Sequence, residues 1–279
     1  MSEQYRSVFI DDDGNIPEML NKCDTDISNL MITRSDIVEA ISSLPPVLTR
    51  LHLGWFYKSF PSQLANPLQM IYNRSLSSGE VPKEWLKSIV SPIYKGGNKK
   101  QTDPASYRPV SLTCIACRIM EKIVKKHIYS HLDLHALISP HQHGFRSKRS
   151  TESEMLECKN HWTKSIDSNE SIDVVYLDIA KAFDTVSHSK LIAKLECYGI
   201  RGPILSWIKA FLSNRLQAVR LEGILSDFIP VKSGVPQGSV LGPLLFLLYI
   251  NDLPDVCRYA ILKLFADDSK LYFRCTRQY

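Results

Sequence analysis

The sequence predicts a mixed α/β fold. Three observations carry this: several stretches repeat apolar residues every three or four positions, a β-branched run spans 172–179, and Gly, Pro and Asp clusters punctuate the chain. With 279 residues, 44% of them hydrophobic and 23% charged, the chain can bury a sizeable core. That composition excludes a disordered chain, a collagen-like fibre and a low-complexity linker.

The elements follow in order. Residues 1–31 are expected to be poorly ordered, because Asp11–Asp13 form an acidic cluster followed by Gly14 and Pro17. A helix is expected from Thr33 or Ser35, with Ile37, Val38 and Ile41 on one side, ended by Pro45-Pro46. Residues 62–78 read as a helix with Leu64, Leu68, Ile71, Tyr72 and Leu76 inward and Pro67 in its first turns. Ser88–Tyr94 alternates as a strand, Lys95-Gly96-Gly97-Asn98 is a turn, and 106–112 is a second strand. Residues 113–132 form a helix with Ile115, Ile119, Ile123 and Leu132 on one stripe.

A basic loop covers 139–150, and Thr151-x-x-Glu154 reads as a capping box opening the next helix. Ile172–Ile179 is apolar almost throughout, which predicts a strand central in its sheet. Helices are expected at 189–198, stopped by Gly199, and at 203–213. A hairpin fits 216–222 and 227–232, and a Gly/Pro turn at 234–238 leads to a helix at 239–250. Strands near 259–265 and 269–274 flank Ala266-Asp267-Asp268.

The formal net charge of +5 hides a segregation. Residues 1–30 carry two basic and seven acidic side chains, net −5, and residues 81–150 carry thirteen basic and four acidic ones, net +9. A local excess of that size points to a polyanion partner, with nucleic acid the default. The polar, acidic start MSEQYRSVFIDDDGN lacks the apolar stretch of an export signal. The longest apolar run, Val240 to Ile250, has 11 residues where a membrane span needs ~20. Seven scattered cysteines fit free thiols in a reducing compartment. An intracellular chain, nuclear or cytoplasmic and not secreted, is therefore expected.

Two places put acids where packing alone would not. Asp178 ends the apolar run Val174-Val175-Tyr176-Leu177, and Asp267-Asp268 sit between two apolar strands. A buried carboxylate needs a cation or donor to compensate it. Three carboxylates from separate segments suit a two-Mg²⁺ site, with ions ~3.5–4 Å apart clamping the oxygens of a phosphoryl transfer. Taken singly, an Asp-Asp pair is a common turn and a strand-end Asp a common cap or ion-pair partner. Spacing alone does not decide between these. Cys114-x-x-Cys117 lacks a second ligand pair at zinc spacing and reads as core thiols. His127, His131 and His135 read as a wet helix face, and Trp55, Trp85, Trp162 and Trp207 as core anchors.

The blocks around these acids resemble reverse transcriptases. Tyr176-Leu177-Asp178-Ile179-Ala180-Lys181-Ala182-Phe183-Asp184 is similar to their first catalytic block. Ser233-Gly234-Val235-Pro236-Gln237-Gly238 is similar to their Pro-Gln-Gly block, and Phe265-Ala266-Asp267-Asp268 to their aromatic-x-Asp-Asp block. Upstream, Pro92-Ile93-Tyr94-Lys95, Ser106-Tyr107-Arg108-Pro109-Val110-Ser111-Leu112, Gln142-His143-Gly144-Phe145-Arg146 and Ser150-Thr151 resemble the non-LTR retrotransposon branch, jockey-type elements most of all. The resemblance covers roughly residues 60–279.

The resemblance implies an α/β (α+β) right-hand polymerase with fingers and palm, a small antiparallel palm sheet with helices, and no thumb. It divides the chain into an acidic N-terminal segment (1–31), fingers with an N-terminal helical region (32–170) and an incomplete palm (171–279). It implies RNA-directed DNA polymerase chemistry on an RNA template and DNA primer, with dNTPs and two Mg²⁺ (or Mn²⁺) and no membrane. Asp178, Asp267 and Asp268 would hold the ions with the backbone carbonyl of Ile179. Phe183 would be the steric gate against a 2′-hydroxyl, and Gln237 would lie against the nascent base pair. Lys95 and Arg108 would clamp the triphosphate, since an ammonium is a point charge and a guanidinium a fork. Arg146, Lys148 and Arg149 would meet template phosphates.

Three departures stand beside this. Leu44–Trp55 lacks the Gly/Pro/Asp-rich turn usual in the family, the sequence runs eleven residues past Asp268, and neither a thumb nor an endonuclease domain is expected within it. They raise a second reading, a catalytically inactive nucleic-acid-binding remnant of a decayed element.

Overall fold

In the computed structural model, residues 1–45 and 52–275 are described. Residues 46–51, half of the atypical 44–55 stretch, thus lie outside the described residues. The helices are α1 (Ser2–Arg6), α2 (Arg34–Ser42), α3 (His52–Ser59), α4 (Pro61–Ser78), α5 (Ile115–Leu134), α6 (Thr151–Asp167), α7 (His188–Cys197), α8 (Gly202–Leu212) and α9 (Gly242–Ile250). The strands are β1 (Lys87–Tyr94), β2 (Tyr107–Leu112), β3 (Ser171–Asp178), β4 (Leu216–Leu221), β5 (Ile224–Leu225), β6 (Ile229–Pro230), β7 (Ile261–Phe265) and β8 (Asp268–Cys275).

Two sheets result. One has the order β2-β1-β4-β5, with β6 also on β4, and its β1–β4 pairing is parallel. The other is a small antiparallel sheet of order β3-β8-β7. One apolar cluster joins α2, α4, α5, α7, α8 and α9 and reaches β7 through Leu262 and Leu264. α9 is apolar all round, and Leu244 to Leu248 are all buried, as a helix enclosed by other elements requires. The fold is the mixed α/β one expected, with the small antiparallel sheet flanked by helices.

Local signals set the ends of elements. Thr33 caps α2 through a reciprocal box with Asp36, and Ser187 caps α7. Gly199, at φ +77°, follows α7, where an added Cβ would lie 2.3 Å from the Thr25 carbonyl oxygen.

Several expectations need correction. β3 is an edge strand among the described residues, with Tyr176 65% and Leu177 46% exposed. A continuous apolar run marks a strand without revealing how many neighbours it has. The box opening α6 is Ser150/Ser153, one residue earlier than Thr151/Glu154. Glu154 is withdrawn from capping because it is buried against Lys270 at 3.1 Å. Ile71 faces outward on α4, and Trp55 is 60% exposed rather than a core anchor. Trp207, by contrast, is fully buried and donates to Ser75 Oγ at 3.0 Å. His131 is buried too, its Nε2 2.8 Å from the Tyr198 carbonyl, so that helix face is not uniformly wet.

The first 31 residues are not wholly loose. Tyr5 is buried against Val90 and Val219. Asp12 accepts from the Ser189 N–H (3.0 Å) and from both Ser187 and Ser189 hydroxyls, at the start of α7. These bonds hold the Asp12 carboxyl down at about 2. Asp11 pairs with Lys232 at 2.7 Å and Asp13 with Lys190 at 3.2 Å. The acidic cluster that suggested disorder finds a helix N-terminus and two lysines, which the local sequence does not reveal.

Candidate active site

The β7–β8 hairpin builds the centre. Phe265 pairs with Asp268, so Ala266 and Asp267 form the turn, with Ala266 at φ +56°. β8 then pairs antiparallel with β3, and Asp268 falls directly opposite Asp178. Residues paired this way project to the same side of a sheet, with Cβ atoms about 4.5–5.5 Å apart. Both aspartates line one open cleft with Thr151 and Met155. Asp267, at the turn, is partly buried. Burial, then repulsion from Asp268 and Asp178, pushes its carboxyl above the ordinary range, and Arg108 opposes that push. Asp178 and Asp268 thus line one cleft, and both act on the Asp267 charge at the turn.

None of the three forms an ion pair among the described residues. Among those residues no group of three or more acidic, histidine or cysteine side chains is gathered closely enough to hold a metal ion by itself. Hard carboxylate oxygens in mutual repulsion, open to solvent, nonetheless suit Mg²⁺, which keeps several waters and phosphate ligands. The donor chemistry fits such an ion. Ile179 follows Asp178 and packs on the core, leaving its carbonyl next to the first acid.

A cationic cluster adjoins Asp267. Lys95 and Arg108 lie on the β1–β2 hairpin, where the Lys95 N–H donates to the Ser106 carbonyl at 2.9 Å. Lys95 Nζ donates to the Ala105 carbonyl at 2.8 Å. Burial lowers its pKa, and so do the neighbouring charges of Lys181, Lys99 and Arg108. Lys181 holds a left-handed backbone at φ +53°, the kind of strain that collects at functional sites.

Gln237 is tied down. Its Nε2 donates to both carboxylate oxygens of Asp184, at 3.0 and 3.2 Å. Burial raises the Asp184 pKa, while Gln237, Lys181 and Lys95 favour its charged form. The Pro-Gln-Gly loop touches the backbone after Phe183 closely. The Val235 N–H donates to the Phe183 carbonyl (2.8 Å), and a Cβ on Gly234 would lie 2.7 Å from that oxygen. A Cβ on Gly238 would meet the Ser111 carbonyl at 2.8 Å. Phe183 itself stacks on Phe246 at 4.3 Å and meets Phe145 edge-on at 6.1 Å.

In the basic loop, Arg146 donates to the Ser139 carbonyl at 2.9 Å, and Arg149 pairs with Glu157 at 2.6 Å. Both are half-buried and partly engaged inside the protein. Lys148, at φ +59°, has no such partner among the described residues.

Lys181, Asp184 and Glu121 were missed by sequence reasoning. Asp184 carried a signal, an acid directly after an apolar block. Glu121 carried none. It is fully buried and accepts the N–H groups of Val240 (2.7 Å) and Leu241 (3.0 Å), at the start of α9 and just past the Pro-Gln-Gly loop.

Opposed aspartates on a small antiparallel sheet, a third at the turn and a cationic hairpin beside it define the fingers-and-palm class of polymerase domains. Residues 97–278 match the family model described as reverse transcriptase (RNA-dependent DNA polymerase). The chain is 34% identical over 221 residues, 78% of its length, to the probable RNA-directed DNA polymerase from transposon X-element of Drosophila melanogaster, covering 24% of that protein. It is 32% identical over 249 residues, 85% of its length, to that from transposon BS of the same fly, covering 27%. To the RNA-directed DNA polymerase from mobile element jockey it is 34% identical over 194 residues, 70% of its length and 21% of the relative. The chain belongs to the reverse transcriptase family, in its non-LTR retrotransposon branch. It spans about a quarter of the length of these curated relatives. Among the described residues no helix is long and apolar enough to cross a membrane.

Proposed function

We propose that this chain is an RNA-directed DNA polymerase domain that adds dNTPs to a primer 3′-hydroxyl on an RNA template. The observation that carries the reading is the direct pairing of Asp178 with Asp268, with Asp267 in their shared field. Asp178, Asp267, Asp268 and the Ile179 carbonyl would hold the divalent ions. Such ions, when bound, would supply Lewis-acid chemistry, activating the attacking hydroxyl and offsetting the charge of the pyrophosphate leaving group.

The protein's own groups do the rest. Lys95 and Arg108, with Lys181 beside them, receive the triphosphate charge. Asp184 holds the Gln237 side chain in place through its amide, leaving the Gln237 oxygen for the nascent pair. Phe183, braced by Phe246, presents a flat ring to the sugar. Arg146, Lys148 and Arg149 of the basic loop meet template phosphate, with Lys148 the most open of the three.

Primer extension on poly(rA)/oligo(dT) with Mg²⁺, beside Asp267→Ala, tests this. Incorporation in the parent and its loss in the variant support the reading. Salt-dependent binding without incorporation replaces it with the nucleic-acid-binding remnant.

A further inference from the structure

Gln142 is wholly buried beneath the turn that carries the aspartate doublet. The loop containing it runs beside β7. The Leu264 N–H donates to the His141 carbonyl (2.9 Å), and the His143 N–H donates to the Leu264 carbonyl (2.7 Å). Gln142 thereby reaches the hairpin tip. Its Oε1 accepts the Ala266 N–H at 3.0 Å and the Gly144 N–H at 2.7 Å. Two donors converging on one atom require it to be the oxygen, so the orientation of the amide follows from the chemistry. Its Nε2 has no partner. Gly144 closes the fit from below, since a Cβ there would lie 2.2 Å from the Ala266 nitrogen.

Ala266 holds a left-handed backbone, which a non-glycine residue keeps only where its surroundings over-determine it. The loop and strand are already joined by two backbone bonds, so the side-chain oxygen is not needed merely to dock them. It acts one residue before Asp267, on the turn itself. We infer that Gln142 is a positioning residue, whose Oε1 holds the Ala266 N–H and so sets the Asp267 and Asp268 carboxylates against Asp178. This deepens the polymerase reading and rests on it.

The two functional halves of the amide separate cleanly. Gln142→Glu keeps an acceptor oxygen and replaces the partnerless amino group with a second oxygen, adding a buried negative charge. Gln142→Leu keeps the bulk and loses the acceptor. Mn²⁺ alone is the probe, its free signal followed by electron paramagnetic resonance, with Asp267→Asn as the blank. Amide exchange of the peptide over residues 261–270 and thermal melting are recorded on the same samples.

Folded Gln142→Leu is expected to need at least five times more Mn²⁺ for half-saturation and to exchange the Ala266 amide faster. Gln142→Glu is expected to bind no more weakly than the parent. A folded Gln142→Leu with parental Mn²⁺ affinity overturns the inference. So does a folded Gln142→Glu that needs at least five times more Mn²⁺ than the parent, the result that decides the matter if Gln142→Leu does not fold. A parent chain without Asp267-dependent Mn²⁺ binding overturns the polymerase reading itself and this inference with it.

Discussion

Asp178 and Asp268 face each other across the β3–β8 ladder, two like charges in register with no cation paired to either among the described residues. A sheet gains nothing from such a pair; like charges directly opposite destabilise it by about 0.2–1 kcal/mol. Asp268→Asn is therefore expected to stabilise the fold by up to ~1 kcal/mol while abolishing incorporation. Denaturant unfolding beside primer extension checks this, and a destabilised variant would contradict it.

The same field predicts titration behaviour. Asp267 sits above the ordinary carboxylate range through burial and through Asp268 and Asp178, against the pull of Arg108. Without divalent ions, removing either like charge should lower the Asp267 pKa, and Arg108→Ala should raise it. Because its folded pKa is raised, ionising Asp267 costs stability as pH climbs through that pKa, so Asp267→Asn should gain most above it. Carboxyl NMR titration of the three variants reads the signs directly.

Glu121 anchors the loop that bears Gln237. Its buried carboxylate accepts two backbone N–H groups and shares its surroundings with buried Arg215. Glu121→Leu leaves both amides and the guanidinium uncompensated. A loss of about 3 kcal/mol in urea unfolding is expected. A loss below ~1 kcal/mol would mean that the loop does not depend on it.

Glu157 offers a pH test. Burial alone would raise its carboxyl, but hydrogen bonds from Lys263 and Arg149 hold it at about 2, below the ordinary 4.5. A depressed carboxylate contributes stability above its unfolded pKa and loses it as pH falls. The stability gap between the parent and Glu157→Gln should be constant above pH 4.5 and close between pH 4.5 and 2. Unfolding midpoints across that range measure it.

Phe183→Ala should admit ribonucleotides, because the ring that stacks on Phe246 and would block a 2′-hydroxyl is gone. Competitive incorporation of rNTP against dNTP reads the change, and equal discrimination in parent and variant rules the gate out.

What the sequence disclosed was local. Asp178, Phe183, Gln237, Asp267 and Asp268 each stand in a short block whose order along the chain carries the chemistry, and the strands and helices around them follow from period and caps. What stayed hidden depends on partners far away in the chain. Gln142 meets Ala266 and Glu121 meets Leu241, contacts 124 and 120 positions apart. Arg149 looks unpaired until Glu157 is seen beside it, and Asp12 looks disordered until α7 presents its first turn. The apolar run of β3 likewise says strand without saying edge.

Under the polymerase reading, the three aspartates act as one two-ion centre. Electron paramagnetic resonance of Mn²⁺ on the chain, with oligo(dT)–poly(rA) and an α,β-methylene dNTP, tests it most directly. Two ions close enough for exchange coupling, about 3.5–4 Å apart, are expected, with the coupled signal lost in Asp178→Asn and in Asp267→Asn. A single uncoupled ion, or a coupled pair that survives either substitution, would contradict it.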